Sequence, residues 1–265
     1  MKDRKYSITQ IIRHIIQLVS FILFPGLFIL TWNSIEIIYK SILNGTFTLN
    51  SMTSQILTFV AVIPITIFWG RFFCGYMCAF GSLQELLNFI SKKLKIKQIE
   101  ISFKTDKYLK YVKYIVIILL IVLWTLNFSL DTLSPWNIFG IYSSYKSWTN
   151  FSSLLTIGGL LLLLIMISSL FVERIFCRYF CPLGGVFSII SKLRLYRIKK
   201  NSSKCLNCNL CAKKCPMSID VNNEINAYKS VKSGECIDCF KCIDSCNNKV
   251  LYKNPKEAIS EQLLQ

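Results

Sequence analysis

Apolar residues in this chain gather in four long blocks, and the last third of the chain is polar. No Lys, Arg, Asp or Glu falls within residues 14–35, 41–70, 114–130 and 147–172. A helix needs about 20 apolar residues to cross the hydrocarbon core of a membrane. The pattern therefore predicts an α-helical membrane domain over residues 1–200. Its four transmembrane helices are expected at residues 12–34, 52–71, 111–130 and 151–173.

The distribution of charge predicts how these helices are oriented. The formal net charge is +17, and only Lys40 and Lys146, of 31 Lys and Arg residues, fall in the loops after the first and third predicted spans. Because basic residues concentrate on the cytoplasmic side, both termini are expected in the cytoplasm. The chain is thus predicted to be a multi-pass protein of a bacterial cytoplasmic (inner) membrane. Contact with anionic lipid headgroups explains the basic excess, so no nucleic acid partner is required.

Eight of the 12 cysteines lie in the polar last third, in two runs. Each run has the spacing C-x2-C-x2-C-x3-C of bacterial ferredoxins, in which the fourth cysteine binds the cluster of the other run. The first 4Fe-4S cluster is therefore assigned to Cys205, Cys208, Cys211 and Cys246. The second is assigned to Cys236, Cys239, Cys242 and Cys215. The pattern predicts a cytoplasmic α+β ferredoxin-like domain with two clusters over residues 201–252, followed by a tail at 253–265.

Two other uses of eight cysteines in this pattern are a disulfide framework and zinc binding. A disulfide framework conflicts with the reducing cytoplasm in which these thiols are expected. Sites of four cysteines also suit zinc, which stays open as an alternative.

The other four cysteines belong to an internal repeat. Arg, Phe, Cys, Tyr, Cys and Gly coincide when residues 71–81 are aligned with residues 174–184. Each copy contains a CxxxC pair, Cys74 with Cys78 and Cys177 with Cys181. Each follows an even-numbered span and precedes an amphipathic stretch, over 83–94 or 186–195, that is expected in the membrane interface. The membrane domain is therefore predicted to consist of two parallel repeats of two spans each.

The chemistry of the CxxxC pairs is open at this stage. Positions i and i+4 share a helix face, so each pair is expected to present two thiols together, and a pseudo-twofold axis would bring both pairs near each other. Four converging thiols suit a relay, a metal ion such as copper(I), a further iron-sulfur cluster, or thiol–disulfide exchange. The plain alternative is four buried, unreactive cysteines.

On the two CxxxC copies and the two ferredoxin runs, the chain resembles the NapH/NosR/CcoG group of membrane-bound 4Fe-4S ferredoxin-type proteins. The resemblance covers roughly residues 10–250, and size and four spans make it most similar to the NapH type. The group's CxxxCP motif is kept at Cys181-Pro182 and departs at Cys78-Ala79. The resemblance implies two clusters held close together and electron transfer between quinol and a partner redox protein during anaerobic respiration.

The sequence gives only hints of where a quinone would bind. The segment from Asp131 to Gly140 combines a carboxylate with an interfacial Trp, but it also fits a Pro/Gly turn. Arg71 and Arg174 are candidates for contact with a quinone or with thiolates, or they anchor the chain at the interface. His14 is the only histidine and is expected to be an interfacial residue, which excludes a bis-His haem site within one chain.

Three functions follow from these patterns. The first is an electron carrier, acting as a subunit of a quinol-linked oxidoreductase together with a redox protein partner. The second is copper handling or reduction for oxidase assembly through the CxxxC thiols. The third is a regulatory membrane protein whose clusters sense redox state. No G-x-G-x-x-G or P-loop motif supports nucleotide binding.

Overall fold

The computed structural model describes residues 7–45, 53–99, 101–126, 157–200, 205–228, 230–248 and 250–253. Up to residue 190 the elements in this part of the chain are helices: α1 (Ile8–Leu23), α2 (Leu27–Leu43), α3 (Thr53–Trp69), α4 (Phe72–Tyr76), α5 (Ala79–Lys93), α6 (Phe103–Leu109), α7 (Val112–Thr125), α8 (Ile157–Phe171), α9 (Ile175–Tyr179) and α10 (Pro182–Ile190). A 3-10 turn (Ser191–Leu193) then leads to β1 (Ile198–Lys200), α11 (Leu210–Lys213), α12 (Val221–Tyr228), α13 (Lys241–Asp244) and β2 (Leu251–Lys253).

The first predicted span is not one helix, which corrects the expectation for residues 12–34. Helices α1 and α2 meet at a break of three residues and are bent by 67°. Pro25 lies in this break, and a proline cannot donate the backbone hydrogen bond that would continue α1. Helix α2 then runs to Leu43, nine residues beyond the predicted end of the span.

Helix α1 turns its polar side toward the protein and its apolar side away from it. Gln10, Arg13 and Gln17 are buried, whereas Ile8 is 75% exposed and Ile15 is 55% exposed. A surface helix of a soluble protein has the opposite arrangement. This helix therefore suits a membrane interface, with its polar face on the protein and its apolar face on lipid.

The other predicted spans coincide with apolar helices as far as the structure describes them. Helices α6 and α7 form one stretch, Phe103–Thr125, with a mean hydropathy of 1.8 and only 17% of its apolar window buried. It is the one continuous helix in the described residues that is long and apolar enough to cross a membrane, and the bent pair α1–α2 would make a second. Helix α8 is apolar but shorter, and residues 127–130 and 151–156 of the predicted spans lie outside the described residues. Four membrane crossings therefore stay a prediction.

Each repeat copy packs its helices on those of the other copy. Helix α5, from the first copy, packs on α8 of the second, and α10 of the second copy packs on α3 of the first. Helices α1 and α7 cover α5 and α10, respectively. This reciprocal packing is what a pseudo-twofold relation between the copies requires, and it puts both CxxxC segments at the centre.

The last quarter of the chain folds into a small unit against the CxxxC end of the helices. Strands β1 and β2 pair antiparallel, with Ile198 opposite Lys253 and Lys200 opposite Leu251, so the beginning and end of this unit are joined. The buried residues Met217, Ile219 and Val231 belong to the same apolar core as Phe73 and Phe187 of the helical part. The two parts therefore share one core.

The second amphipathic stretch has one face buried and one face exposed. Phe187 and Ser188 are buried, and Arg194 is only 2% exposed and donates from Nη2 to the Val231 carbonyl at 2.6 Å. The docked C-terminal unit covers this face, whereas Leu193 is 71% exposed and Leu195 is 64% exposed. The position of this stretch in a membrane interface stays a prediction.

Two glycines allow the two parts to meet at backbone distance. A Cβ at Gly75 would clash with the Ile237 carbonyl, and one at Gly234 would clash with the Ser188 carbonyl. We expect Gly75→Ala and Gly234→Ala each to destabilise the protein by about 1–3 kcal/mol, because backbone cannot move aside as a side chain can. Thermal unfolding of the full chain in detergent measures this.

Gly26→Ala is the matched control, because a Cβ there meets nothing within 4 Å. It should leave the unfolding midpoint close to that of the unmodified chain. An equal loss of stability in all three variants would contradict the close approach of the two parts.

Candidate functional site

The two cysteine loops of the C-terminal unit have the same backbone conformation. The third and fifth residues of each run have positive φ: 50° at Asn207 and 54° at Asn209, then 52° at Asp238 and 58° at Phe240. Such values are uncommon for residues other than glycine, and for an aromatic residue such as Phe240 they signal strain. Strained backbone of this kind is typical of ligand-binding loops, so the shared conformation indicates a shared ligand.

Each loop lines a cavity together with the last cysteine of the other run. A cavity of about 110 Å³ is lined by Cys205, Cys208, Cys211 and Cys246. A narrower cavity is lined by Cys236, Cys239, Cys242 and Cys215. The structure thus brings together the same two sets that the ferredoxin spacing predicts, although their role as ligands stays a prediction.

The donor sets fit iron-sulfur clusters. Within the described residues no three His, Cys, Asp or Glu side chains stand close enough to hold a single metal ion. The thiols surround a space instead, which suits a cluster of four irons because such a cluster is much wider than one ion. Four cysteine sulfurs are the ligands that a 4Fe-4S cluster uses.

The two loops differ in burial. Cys208 is exposed and the other three cysteines of its set are partly exposed, whereas Cys236, Cys239 and Cys242 are buried. Burial raises the pKa of Cys236 to about 11 and that of Cys215 to about 12. These thiols are therefore protonated at neutral pH until a metal binds and displaces the protons.

The CxxxC motifs do not form continuous helices, contrary to the expectation that i and i+4 share a helix face. Helix α4 ends at Tyr76, and Cys78 is extended (φ −73°, ψ 109°) before α5 begins at Ala79. The second copy breaks in the same way at Cys181 (φ −66°, ψ 113°), and Pro182 occupies the first position of α10. Proline is favoured at that position because it needs no hydrogen-bonded N–H, and Ala79 fits there as well.

The four thiols nevertheless converge. Burial, with the proximity of Cys177 and Cys74, raises the pKa of both Cys78 and Cys181. Gln84 Nε2 donates to Cys177 Sγ at 3.3 Å, and the Gly184 amide donates to Cys181 Sγ at 3.2 Å. The four cysteines thus lie near one another in one buried core, although no three of them stand close enough to hold a single metal ion.

A buried carboxylate, Glu85, neutralises cations beside the first copy. It pairs with Arg13, with Arg174 at 2.7 Å and with Lys241 of the second cysteine loop at 2.8 Å. Burial alone would raise the pKa of Glu85, but these three cations hold it well below its usual range. Glu85 therefore links α1, α5, the second repeat copy and the C-terminal unit.

A second carboxylate, Glu235, has the corresponding role beside the second copy. Arg71 pairs with Glu235 at 2.6 Å, Lys113 also pairs with it, and the Ser188 hydroxyl donates to it at 2.8 Å. Burial would raise the pKa of Glu235, yet Arg71 and Lys113 lower it to about 2. Because Glu235 precedes Cys236, this ion pair fixes the second cysteine loop on the helices.

The second cysteine loop lies directly on the first CxxxC segment. Gly75 approaches the Ile237 carbonyl, and the Tyr76 hydroxyl donates to the Asp238 carbonyl at 3.2 Å. The equivalent of Gly75 in the second copy is Arg178, which pairs with Asp106 of α6 instead. Only the first copy therefore meets a cysteine loop in this way.

Some predicted site residues are placed elsewhere or lie outside the described residues. The quinone candidate from Asp131 to Gly140 is outside the described residues. Arg71 and Arg174 are fully buried and ion-paired, so they are not interfacial anchors. Sequence reasoning missed Glu85 and Glu235, although an acidic residue within an apolar amphipathic stretch, or next to a ligand cysteine, is a usable signal.

Cysteine loops with ferredoxin spacing, each lining a cavity, define the class of iron-sulfur proteins. Comparison with known proteins supports the same class. A family described as a 4Fe-4S binding domain matches residues 52–97 and again 154–201, which contain the two CxxxC copies. A family described as a 4Fe-4S dicluster domain matches residues 197–247. No solved structure matches the chain.

Three relatives show the range of the similarity. MJ0750 of Methanocaldococcus jannaschii is 34% identical over 91% of this chain and 94% of its own length. YccM of Escherichia coli strain K12, which carries electron transport in its name, is 30% identical over 73% of this chain but only 53% of its own length. NapH of Haemophilus influenzae, named a ferredoxin-type protein, is 27% identical over 73% of this chain and 67% of its own length.

Further matches carry the name NosR. The chain therefore belongs to the NapH/NosR-like family of 4Fe-4S ferredoxin-type proteins, which are iron-sulfur electron transport proteins.

The ion pairs of Glu235 predict a large effect of a neutral substitution. Glu235→Gln leaves Arg71 and Lys113 buried without a counter-charge, which we expect to cost about 3–5 kcal/mol. Thermal unfolding should begin at a lower temperature, and limited proteolysis should release the C-terminal unit.

Glu36→Gln is the control, because its pair with Lys40 is about one-third exposed (29% and 33%). It should change stability by about 0–1 kcal/mol. Similar losses for both variants would show that the buried pair does not hold the C-terminal unit in place.

Proposed function

We propose that this chain is a membrane-bound electron carrier that links a quinol or quinone in the bilayer to a redox protein partner. Residues 1–200 would form the membrane domain and residues 201–252 the ferredoxin-like domain. Both termini would lie in the cytoplasm, and the chain would work within a complex that contains the partner. As a carrier it would serve as a subunit of a quinol-linked oxidoreductase.

The observation that carries the proposal is the unequal exposure of the two cysteine loops. The loop with Cys236 and Cys239 is buried on the first CxxxC segment, whereas Cys208 of the other loop is exposed. A carrier needs one inner site near its membrane reactant and one outer site that a partner protein can approach. The loop with Cys236 and Cys239 would be the inner site, called the inner loop below, and the loop with Cys208 would be the outer site.

Exposed apolar surface supports the membrane part of the proposal. Ile118 of α7 is 64% exposed, and Leu160 of α8 is 66% exposed. Soluble proteins rarely leave contiguous surface of this kind uncovered. Lipid would cover these helices, and the CxxxC segments would lie at their cytoplasmic end.

The eight cysteines of the two loops would each hold their predicted cluster. When bound, 4Fe-4S clusters supply one-electron exchange at potentials that depend on hydrogen bonds and solvent exposure. The chain supplies placement, because Gly75 and Glu235 hold the inner loop against the CxxxC segment. Cys74, Cys78, Cys177 and Cys181 would act as a relay between the membrane reactant and the inner loop.

Cluster content is the first part of the test. The full chain, reconstituted anaerobically in liposomes, is expected to bind about eight irons, four at each set of cysteines. Cys208→Ser and Cys239→Ser should each remove about half of this iron. Retention of all the iron in either variant would contradict the assignment of that cysteine as a ligand.

Electron transfer is the second part. Menaquinol should bleach the cluster absorbance, or dithionite-reduced clusters should reduce menaquinone, and the double variant Cys74→Ser/Cys177→Ser should abolish either reaction. A lack of transfer in both directions with intact clusters would overturn the proposal. High-affinity copper(I) binding lost in the same double variant would then favour copper handling, and cluster-dependent partner binding would favour sensing.

A buried arginine beside the inner loop is expected to raise the reduction potential of the cluster bound there. Arg194 lies beside Cys236, and its Nε and Nη1 have no hydrogen-bond partner among the described residues. A buried positive charge stabilises the more negative, reduced state of a neighbouring cluster, so Arg194→Gln should lower the potential of the inner cluster by about 60 mV, or about 1.4 kcal/mol.

Redox titration followed by paramagnetic resonance measures this shift. Lys192→Gln removes the same charge from an exposed side chain two residues away and should leave both potentials nearly unchanged. Equal shifts in the two variants would indicate a general charge effect and contradict a specific contact with Cys236.

A further inference from the structure

A large cavity lies between α1 and α5. Its volume is about 650 Å³, within the range of about 300–1,000 Å³ that small-molecule sites occupy. Leu18, Phe21, Leu83 and Leu86 form much of its wall, and His14 and Glu85 lie at its polar side. The cysteine-lined cavity of about 110 Å³ is far smaller.

The cavity opens toward the apolar surface of the helices. Leu18 is 60% exposed, Leu86 is 53% exposed and Phe89 is 50% exposed, although all three line it. The apolar faces of α1 and α5 continue from this opening. A lipid-soluble molecule could therefore enter sideways from the bilayer.

The polar side of the cavity offers a hydrogen-bond acceptor. Gln17 Nε2 donates to the Gly75 carbonyl at 2.9 Å and to Glu85 Oε2 at 3.2 Å, which identifies it as the amide nitrogen. Gln17 Oε1 must therefore accept the contact of 2.9 Å from His14 Nδ1. A neutral His14 then has its hydrogen on Nδ1, which leaves Nε2 as an acceptor.

The cavity also adjoins the inner cysteine loop. Gln10 lines it and donates to the Cys239 carbonyl at 2.8 Å. Lys241 also lines it, and this residue lies between Cys239 and Cys242 in the chain. A molecule in the cavity would thus lie beside one side chain that bonds to the inner loop and one that belongs to it.

We propose that this cavity binds the ring of a lipid-soluble quinone or quinol, with a ring oxygen at His14 and the isoprenoid tail leaving between Leu18 and Leu86. The inference rests on the proposed function, and it names the site of the membrane reactant. A quinol hydroxyl would donate to His14 Nε2, and the apolar wall would pack on the ring. A lipid acyl chain would use the apolar wall but would have no use for the polar side.

Photolabelling tests the site without measuring activity. The full chain with its clusters is placed in phosphatidylcholine liposomes with an azido-quinone, illuminated anaerobically and mapped by peptide mass spectrometry. Labels are expected on the peptides that contain Leu18–Phe21 and Leu83–Phe89, and unlabelled menaquinone should compete with them. Labelling of these peptides that menaquinone does not reduce would show general partitioning into lipid and would overturn the proposal.

Matched variants sharpen the test. Leu18→Trp and Leu86→Trp fill the cavity and should lower specific labelling about tenfold, a loss of about 1.4 kcal/mol in binding. Ile15→Trp and Ile90→Trp add the same ring to exposed positions on the same helices that do not line the cavity, and should leave labelling unchanged. Equal losses in both pairs would contradict the site.

The polar contact has its own variant. His14→Phe keeps an aromatic ring at this position but removes the acceptor. It should weaken competition by menaquinol about tenfold, because the quinol hydroxyl loses its hydrogen bond to Nε2. The cluster absorbance should stay unchanged, since His14 is not one of the predicted cluster ligands. Unchanged competition would overturn the role of His14.

The outcome separates this inference from the proposed function. Quinol-driven cluster reduction together with labelling elsewhere in the chain would overturn the site and leave the electron carrier in place. Specific labelling here without electron transfer would support the site and count against the carrier. Neither labelling nor transfer would overturn both.

Discussion

The structure depends on the neutralisation of the cations that it buries. Four basic side chains have no exposed surface: Arg13, Arg71, Lys113 and Arg174. A buried charge without a partner costs several kcal/mol, so the fold is possible only if acidic groups reach them. Two carboxylates do so, Glu85 from α5 and Glu235 from the C-terminal unit. The positions of the helices and of the cysteine loops follow from these two groups.

The acid that neutralises the buried cations comes from a different part of the chain in each repeat copy. At the offset that superimposes Cys74 on Cys177, Glu85 of the first copy corresponds to Ser188 of the second. The second copy thus lacks an acid at this position, and Ser188 instead donates to Glu235 of the C-terminal unit. Docking of this unit is therefore part of the charge balance of the helical part, which explains why the two parts share a core.

Local sequence patterns predicted many of the helices and both sets of loop cysteines. They could not predict contacts between residues far apart in the chain. The apolar blocks located α3, α7 and α8, and ferredoxin spacing predicted which cysteines line each cavity. The 67° bend after α1 was missed because the length of an apolar block does not show where a helix turns. Glu235 was missed because Arg71, its partner, is 164 residues away in sequence.

The same cations also determine what the four CxxxC thiols can do. Burial raises the pKa of Cys177, and Arg174 and Arg71 act in the opposite direction. Since Glu85, Glu173 and Glu235 share three negative charges among six cations, positive potential remains beside the thiols. Negative charge that arrives at this cluster, as thiolate, bound metal complex or transferred electron, would be stabilised without further rearrangement. The buried arginines and the cysteines are therefore one electrostatic unit, and a change in either part alters the proton and charge affinity of the other.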